Sequence, residues 1–252
     1  MRVVLLQRDL AWGSPKSNLA NLDAALDRNP GADLYVLPEM FTTGFATLPD
    51  ATVESEPSEG LAWMKAAAAR TGAAIAGSIA LRTEEGCRNR FFFVTPENVS
   101  VYDKRHLFTY GGEQERFSAG RQRVTVEWRG WRFLLTVCYD LRFPIWLRNQ
   151  DDYDAIICVA NWPDKRRYHW DTLLRARAIE DQCYVLGVNR VGEDPVCVYN
   201  GGTVLLDPYG NVMAACPDNT ESECSAELDM KMLQDYRAKF PVLEDADKFE
   251  LK

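Results

Sequence analysis

About a dozen short runs rich in β-forming residues recur along this 252-residue chain, and two kinds of connection join them. The runs are Val3–Gln7, Asp33–Leu37, Ala74–Ala80, Arg90–Thr95, Val99–Tyr102, Val124–Trp128, Trp131–Val137, Ala155–Val159, Tyr184–Asn189, Gly202–Leu206, Val212–Cys216 and Cys224–Asp229. Amphipathic stretches separate some of them. Ser17 can cap a helix with Leu19, Leu22 and Leu26 on one face, and the Ala-rich Leu61–Arg70 closes before Gly72. A third helix begins near His169, with Trp170, Leu173, Leu174, Arg177 and Ala178 on one stripe. Tight turns join other runs, at Arg129-Gly130 and at Asp207-Pro208-Tyr209-Gly210. Parallel strands need a long crossover and hairpin strands need only a turn, so the mixture predicts sheets covered by helical layers. No linker, repeat or low-complexity tract interrupts the chain, and residues 1–252 read as a single α/β domain two sheets deep.

The charge balance narrows the partners. Thirty-seven acids face 29 bases, a formal charge of −8, and no basic block is present to neutralise phosphates, so nucleic acid is not an expected partner. Between Arg2 and Gln7 only four apolar residues occur, too few for a secretory or membrane-spanning segment, and a cytoplasmic location is expected. The seven cysteines are odd in number and no two are closer than eight residues, which suggests neither a disulfide framework nor a zinc ribbon. Two histidines, His106 and His169, do not suggest a histidine-rich metal site and limit a cysteine–histidine dyad to two candidate bases, so a carboxylate base for a thiol is sought as well.

Three chemistry-bearing residues end apolar runs. Cys138 follows WRFLLTV, where a thiol is either core filler or a nucleophile. Glu39 follows DLYVLP, where a carboxylate caps the loop, pairs with a base or exchanges a proton with a thiol. Lys104 follows VSVYD, where it pairs with Asp103 or supplies the fixed ammonium that stabilises an oxyanion.

Taken together, LPEMFTTGF, YDKRHLF and VCYDLRFP resemble the segments around the Glu-Lys-Cys triad of the nitrilase superfamily of carbon–nitrogen hydrolases. The likeness extends through GGEQERFSAG, VANWP and HWDTLLRARAIEDQ into YVLGVNR, and so covers nearly the whole chain. The combination of CYDLRFP, VANWP and DKRHLF is most similar to the omega-amidase branch, whose members remove the side-chain amide of keto-acid amides such as 2-oxoglutaramate and 2-oxosuccinamate. The resemblance implies a four-layer αββα sandwich, two mixed sheets flanked by helices, that pairs across a helical face into a homodimer. It implies catalysis by Glu39, Lys104 and Cys138 through a thioester, with no metal or organic cofactor. Glu113 matches a second glutamate of the family, and its neighbour Glu115 stands close enough in sequence to compete for that role.

On that mechanism the backbone N–H of Tyr139 joins Lys104 in facing the oxyanion. A substrate carboxylate needs a cation, for which Arg142 and Arg166 or Arg167 are candidates, although Arg142 can instead pair with Asp140. Phe45, Trp162 and Tyr139 can wall the pocket, and His106 and His169 read as structural. Competing readings are another activity of the superfamily (nitrilase, N-carbamoyl hydrolase or aliphatic amidase), a catalytically idle binding homologue, and a thiol-redox protein.

Overall fold

The computed structural model describes residues 1–48 and 51–250. The chain runs through β1 (Arg2–Gln7), α1 (Pro15–Arg28), β2 (Leu34–Val36), β3 (Glu54–Ser55), α2 (Glu59–Thr71), β4 (Ala74–Thr83), β5 (Gly86–Val94), β6 (Val99–Asp103) and α3 (Glu113–Arg116). It continues as β7 (Thr125–Trp128), β8 (Trp131–Val137), α4 (Pro144–Leu147), β9 (Ala155–Val159), α5 (Arg167–Glu180) and β10 (Tyr184–Val188). The last part comprises β11 (Val191–Glu193), β12 (Val198–Asn200), β13 (Val204–Leu206), β14 (Val212–Ala215), β15 (Ser222–Glu227) and α6 (Met230–Lys239).

Two sheets form, ordered β15-β1-β2-β4-β5-β6, with β3 added on β4, and β14-β13-β10-β9-β8-β7. Each has a parallel centre, β1-β2-β4 in one and β8-β9-β10 in the other, with antiparallel strands outside it apart from the short β3, which pairs parallel to β4. The alternation along the strands decides the layering. Val3, Leu5, Leu34 and Val36 pack with Phe133, Leu135 and Ile157 between the sheets, whereas Val4, Leu6 and Tyr35 pack with Leu19, Leu22 and Leu26 of α1 and Met64 of α2. Phe93 stacks on Phe133 across the intersheet core at 5.9 Å. On the opposite side α5 lies directly on β10, and Gly187 makes this approach possible: a Cβ there would stand 2.5 Å from Leu174 Cδ1 and 3.2 Å from the Trp170 ring. Helices therefore cover both outer faces, giving the expected mixed-sheet sandwich.

Several local expectations need correction. Helix α1 begins at Pro15, whose fixed φ suits a first turn, and Ser17 lies inside it rather than capping it. Asn18 instead ties the helix down, bonding Ala11 N at 2.8 Å and Thr42 O at 2.8 Å. The β4–β5 hairpin is longer than the apolar runs suggested, because Arg82 and Arg88 continue the ladder through a turn at Gly86. Strand β13 starts at Val204 and not Gly202, since Gly201 and Gly202 adopt φ of +89° and +93°. The β11–β12 hairpin was not anticipated at all.

Candidate active site

Strand ends bring the candidate residues together. Glu39 follows β2, Lys104 is the first residue beyond β6, Glu113 opens α3, and Cys138 is the first residue beyond β8. Lys104 is anchored by its own backbone, its N–H donating to Asn89 O at 3.0 Å and its carbonyl accepting from Gly120 N at 2.9 Å. Its Nζ lies 3.0 Å from Glu39 Oε1 and 2.9 Å from Glu113 Oε2, and none of the three side chains is exposed. Glu115 is exposed, so Glu113 is the carboxylate that meets the lysine.

Two asparagines and a backbone N–H complete the pairing of the carboxylates. Asn89 Nδ2 donates to Glu39 Oε1 at 2.7 Å and to Glu113 Oε1 at 3.0 Å. Asn161 donates its backbone N–H to Glu39 Oε2 at 2.8 Å and its amide to the Glu39 carbonyl, also at 2.8 Å. Phe108 N–H donates to Glu113 Oε2 at 2.6 Å. Charged groups this deeply buried persist only when paired and hydrogen-bonded, and here they are both.

The electrostatics set the resting protonation. Burial disfavours the Lys104 ammonium, but Glu113 and Glu39 outweigh it and hold its pKa well above the ordinary lysine value. Burial, reinforced by the charge of Glu39, raises the Glu113 carboxyl against the pull of Lys104. Burial and the Glu39 charge likewise push the Cys138 thiol well above its usual value, with Lys104 opposing them. The sulfur therefore rests as a thiol, and any attack by it would need a base. Cys138 carries φ of +46°, a left-handed conformation at the strand-to-turn corner, and its Sγ approaches Asn161 O at 3.9 Å.

Beyond the sulfur lies a cavity of about 40 Å³ walled by Phe45, Phe108, Cys138, Tyr139, Arg142, Asn161, Trp162, Pro163, Arg166, Cys197 and Tyr199. A surface concavity of about 1010 Å³ beside α6 and the C-terminal segment shares none of these residues. Arg142 sits over the Trp162 ring at 4.8 Å and contacts His169 Nδ1 at 3.1 Å, and Arg166 sits over Phe108 at 5.2 Å. Among the described residues neither guanidinium pairs with a carboxylate. The alternative pairing of Arg142 with Asp140 does not form, because Asp140 is taken by Tyr102, His106 and Val137. Arg167 turns away to Asp171 and Asp218, at 2.8 Å each. No group of three or more His, Cys, Asp or Glu side chains suited to a metal ion occurs among the described residues.

Asn89, Cys197 and Tyr199 were missed from the sequence, and Phe108 and Asn161 stood in quoted motifs without a role. Asn189 was missed too: it braces Trp162, accepting from its N–H at 2.8 Å and donating to its carbonyl at 2.9 Å. The available signal was an asparagine inside or closing an apolar run, as in RNRFFFV, CVAN and LGVN, since burying an amide is costly unless it has partners.

Comparison with known proteins defines the class. The sequence profile of the carbon-nitrogen hydrolase family matches residues 5–238, and the chain belongs to that family. Within it the chain groups with the omega-amidase branch, as an amide-hydrolysing enzyme. It is 48% identical over 254 residues to Omega-amidase YafV of Escherichia coli (strain K12), covering 100% of this chain and 98% of that protein. It is 34% identical to the 2-oxoglutaramate amidase of Bacillus subtilis (strain 168), over 96% of each. The crystal structure of XC1258 from Xanthomonas campestris, a CN-hydrolase superfamily protein with an arsenic adduct in its active site, matches with a TM-score of 0.97 at 42% identity, over 100% of this chain and 99% of that one.

Proposed function

We propose that this enzyme hydrolyses the terminal amide of small 2-oxo dicarboxylic acid monoamides, 2-oxoglutaramate and 2-oxosuccinamate, through a thioester on Cys138. The observation that carries the substrate class is the pair of guanidinium groups, Arg142 and Arg166, that face the same cavity as the Cys138 sulfur and have no carboxylate partner among the described residues. Guanidinium matches a carboxylate in geometry and charge, and the aromatic walls suit a short carbon chain between the anion and the amide.

In this reading Glu39 removes the Sγ proton as sulfur bonds to the amide carbon, and the carbonyl oxygen becomes an oxyanion facing Lys104 and the backbone N–H of Tyr139. Glu39 passes the proton to nitrogen, the carbon–nitrogen bond breaks and ammonia leaves. Water then attacks the thioester with Glu39 again as base, releasing the carboxylic acid and restoring the thiol. Glu113 acts through Lys104, whose ammonium it holds in place.

The test is ammonia release from 2-oxoglutaramate, measured beside an aliphatic nitrile and an N-carbamoyl amino acid at equal concentration, with mass spectrometry of the acylated peptide. Preference for the keto-acid amide and an adduct on the Cys138 peptide are expected. Undiminished turnover by a purified Cys138→Ala protein would end the proposal. We further propose a cytoplasmic homodimer that buries the exposed Ile179 of α5, to be checked by light scattering. No helix among the described residues is long and apolar enough to cross a membrane.

A further inference from the structure

Asp140 is buried, two residues beyond Cys138, and its carboxylate accepts four hydrogen bonds. Oδ2 accepts from Val137 N–H at 3.0 Å, within the nucleophile turn itself, and from the Tyr102 hydroxyl at 2.8 Å. Oδ1 lies 2.9 Å from His106 N, whose N–H it accepts, and 2.8 Å from His106 Nδ1. Three of the four bonds thus cross to the segment that carries Lys104, two residues before His106 and two after Tyr102. The Tyr102 hydroxyl in turn accepts from Arg105 N–H at 3.1 Å, so the backbone on the far side of Lys104 is held as well. The His106 ring lies flat on Phe143, at 3.8 Å and 7°, just past the end of the nucleophile turn.

We infer that Asp140 and His106 clamp the lysine segment to the nucleophile turn and so fix the ammonium of Lys104 relative to the Cys138 sulfur, as positioning residues for the hydrolysis. The inference rests on reading Cys138 as the nucleophile and Lys104 as the cation that meets the oxyanion. Neither His106 nor Asp140 lines the substrate cavity. Loosening the clamp therefore acts on the geometry of the reacting groups while leaving the substrate-binding arginines in place. A shift of about 1 Å in such a geometry costs on the order of 10²-fold in rate.

His106 is partly exposed, which makes it the safer position to vary. In His106→Leu the ring bond to Asp140 is lost and the backbone bond stays; in His106→Asn an amide N–H can return to the place of Nδ1. Turnover is measured per titratable Cys138 thiol, with whichever amide the wild type hydrolyses, so that an inactive 2-oxoglutaramate would sink the substrate reading without touching this one. His106→Leu is expected to lower kcat about 10- to 100-fold with KM within about threefold, and His106→Asn to recover at least about fivefold of that loss. A His106→Leu kcat within twofold of wild type, a change confined to KM, or a His106→Asn protein no better than His106→Leu would each overturn the inference. Asp140→Asn, which keeps one acceptor oxygen but turns an amide N–H toward backbone donors, is expected to lose more kcat than His106→Leu; equal or better turnover would count against the clamp.

Discussion

Lys104 Nζ and Glu39 Oε1 stand 3.0 Å apart with neither side chain open to solvent. The pair is part of a larger balance, one ammonium against the carboxylates of Glu39 and Glu113, and removing the cation leaves two like charges facing one another in a dry site.

Lys104→Met is therefore expected to lower turnover by about 10² to 10³ and to cost about 3–5 kcal/mol of stability. Loss of the cation also removes the pull that opposes the upward shift of the Glu113 carboxyl, so the native variant takes up a proton there that the unfolded chain does not. Its stability deficit should shrink as pH falls toward 5, in urea melts compared with wild type. A deficit independent of pH would show that the two carboxylates do not repel.

Because the Cys138 thiol is held well above its ordinary value by burial and by Glu39, alkylation by iodoacetamide should still be accelerating at pH 9. A plateau near neutrality would mean a preformed thiolate. The sign for stability follows from the same shift: the folded state keeps a proton that the unfolded chain releases, so this contribution is present at neutral pH and is lost as pH rises past about 8.5.

Asp181 tests burial without catalysis. Desolvation lifts its carboxyl to about 6, its Oδ1 accepts from Asn149 N–H at 2.9 Å, and its Oδ2 has no partner among the described residues. A raised acid stabilises below the ordinary carboxylate range and loses that contribution as pH climbs through 6. Asp181→Asn keeps the Oδ1 acceptor and discards the buried charge, so it should gain up to about 2 kcal/mol at pH 8 and nothing at pH 4, by thermal melts at both.

Arg142→Ala and Arg166→Ala address the substrate anion. Each should raise KM for 2-oxoglutaramate by about 10- to 100-fold, the value of a hydrogen bond to a charged group, while kcat changes far less. A neutral amide of the same length should be almost indifferent. Equal losses on both substrates would remove the arginines from carboxylate recognition.

Gly120 presses on the lysine segment from outside. A Cβ there would lie 2.0 Å from the Asp103 carbonyl oxygen, which is backbone and cannot move aside. Gly120→Ala should cost about 1–3 kcal/mol and lower activity with it, read by melting temperature and turnover together.

Much of this arrangement is visible in the residue order. Apolar runs ending in Glu39, Lys104 and Cys138 mark the strand mouths, and the unbroken apolar run VVLL of β1 marks a strand packed on both faces. What could not be read is whatever depends on distant segments meeting. Asn89 looks like a polar interruption in RNRFFFV until β5 pairs with β4 and β6 and brings it over the two glutamates. Cys197 and Tyr199 lie in a polar, proline-containing stretch whose short hairpin has too few residues to announce itself, yet that hairpin closes one wall. Arg166 and Arg167 are adjacent and chemically alike, and only the turn into α5 sends one to the cavity and the other to Asp171 and Asp218.

The chamber beyond the sulfur is about 40 Å³ and is ringed by side chains from five separate stretches of the chain. A ring that tight favours a small free amide over one carried on the surface of a folded protein.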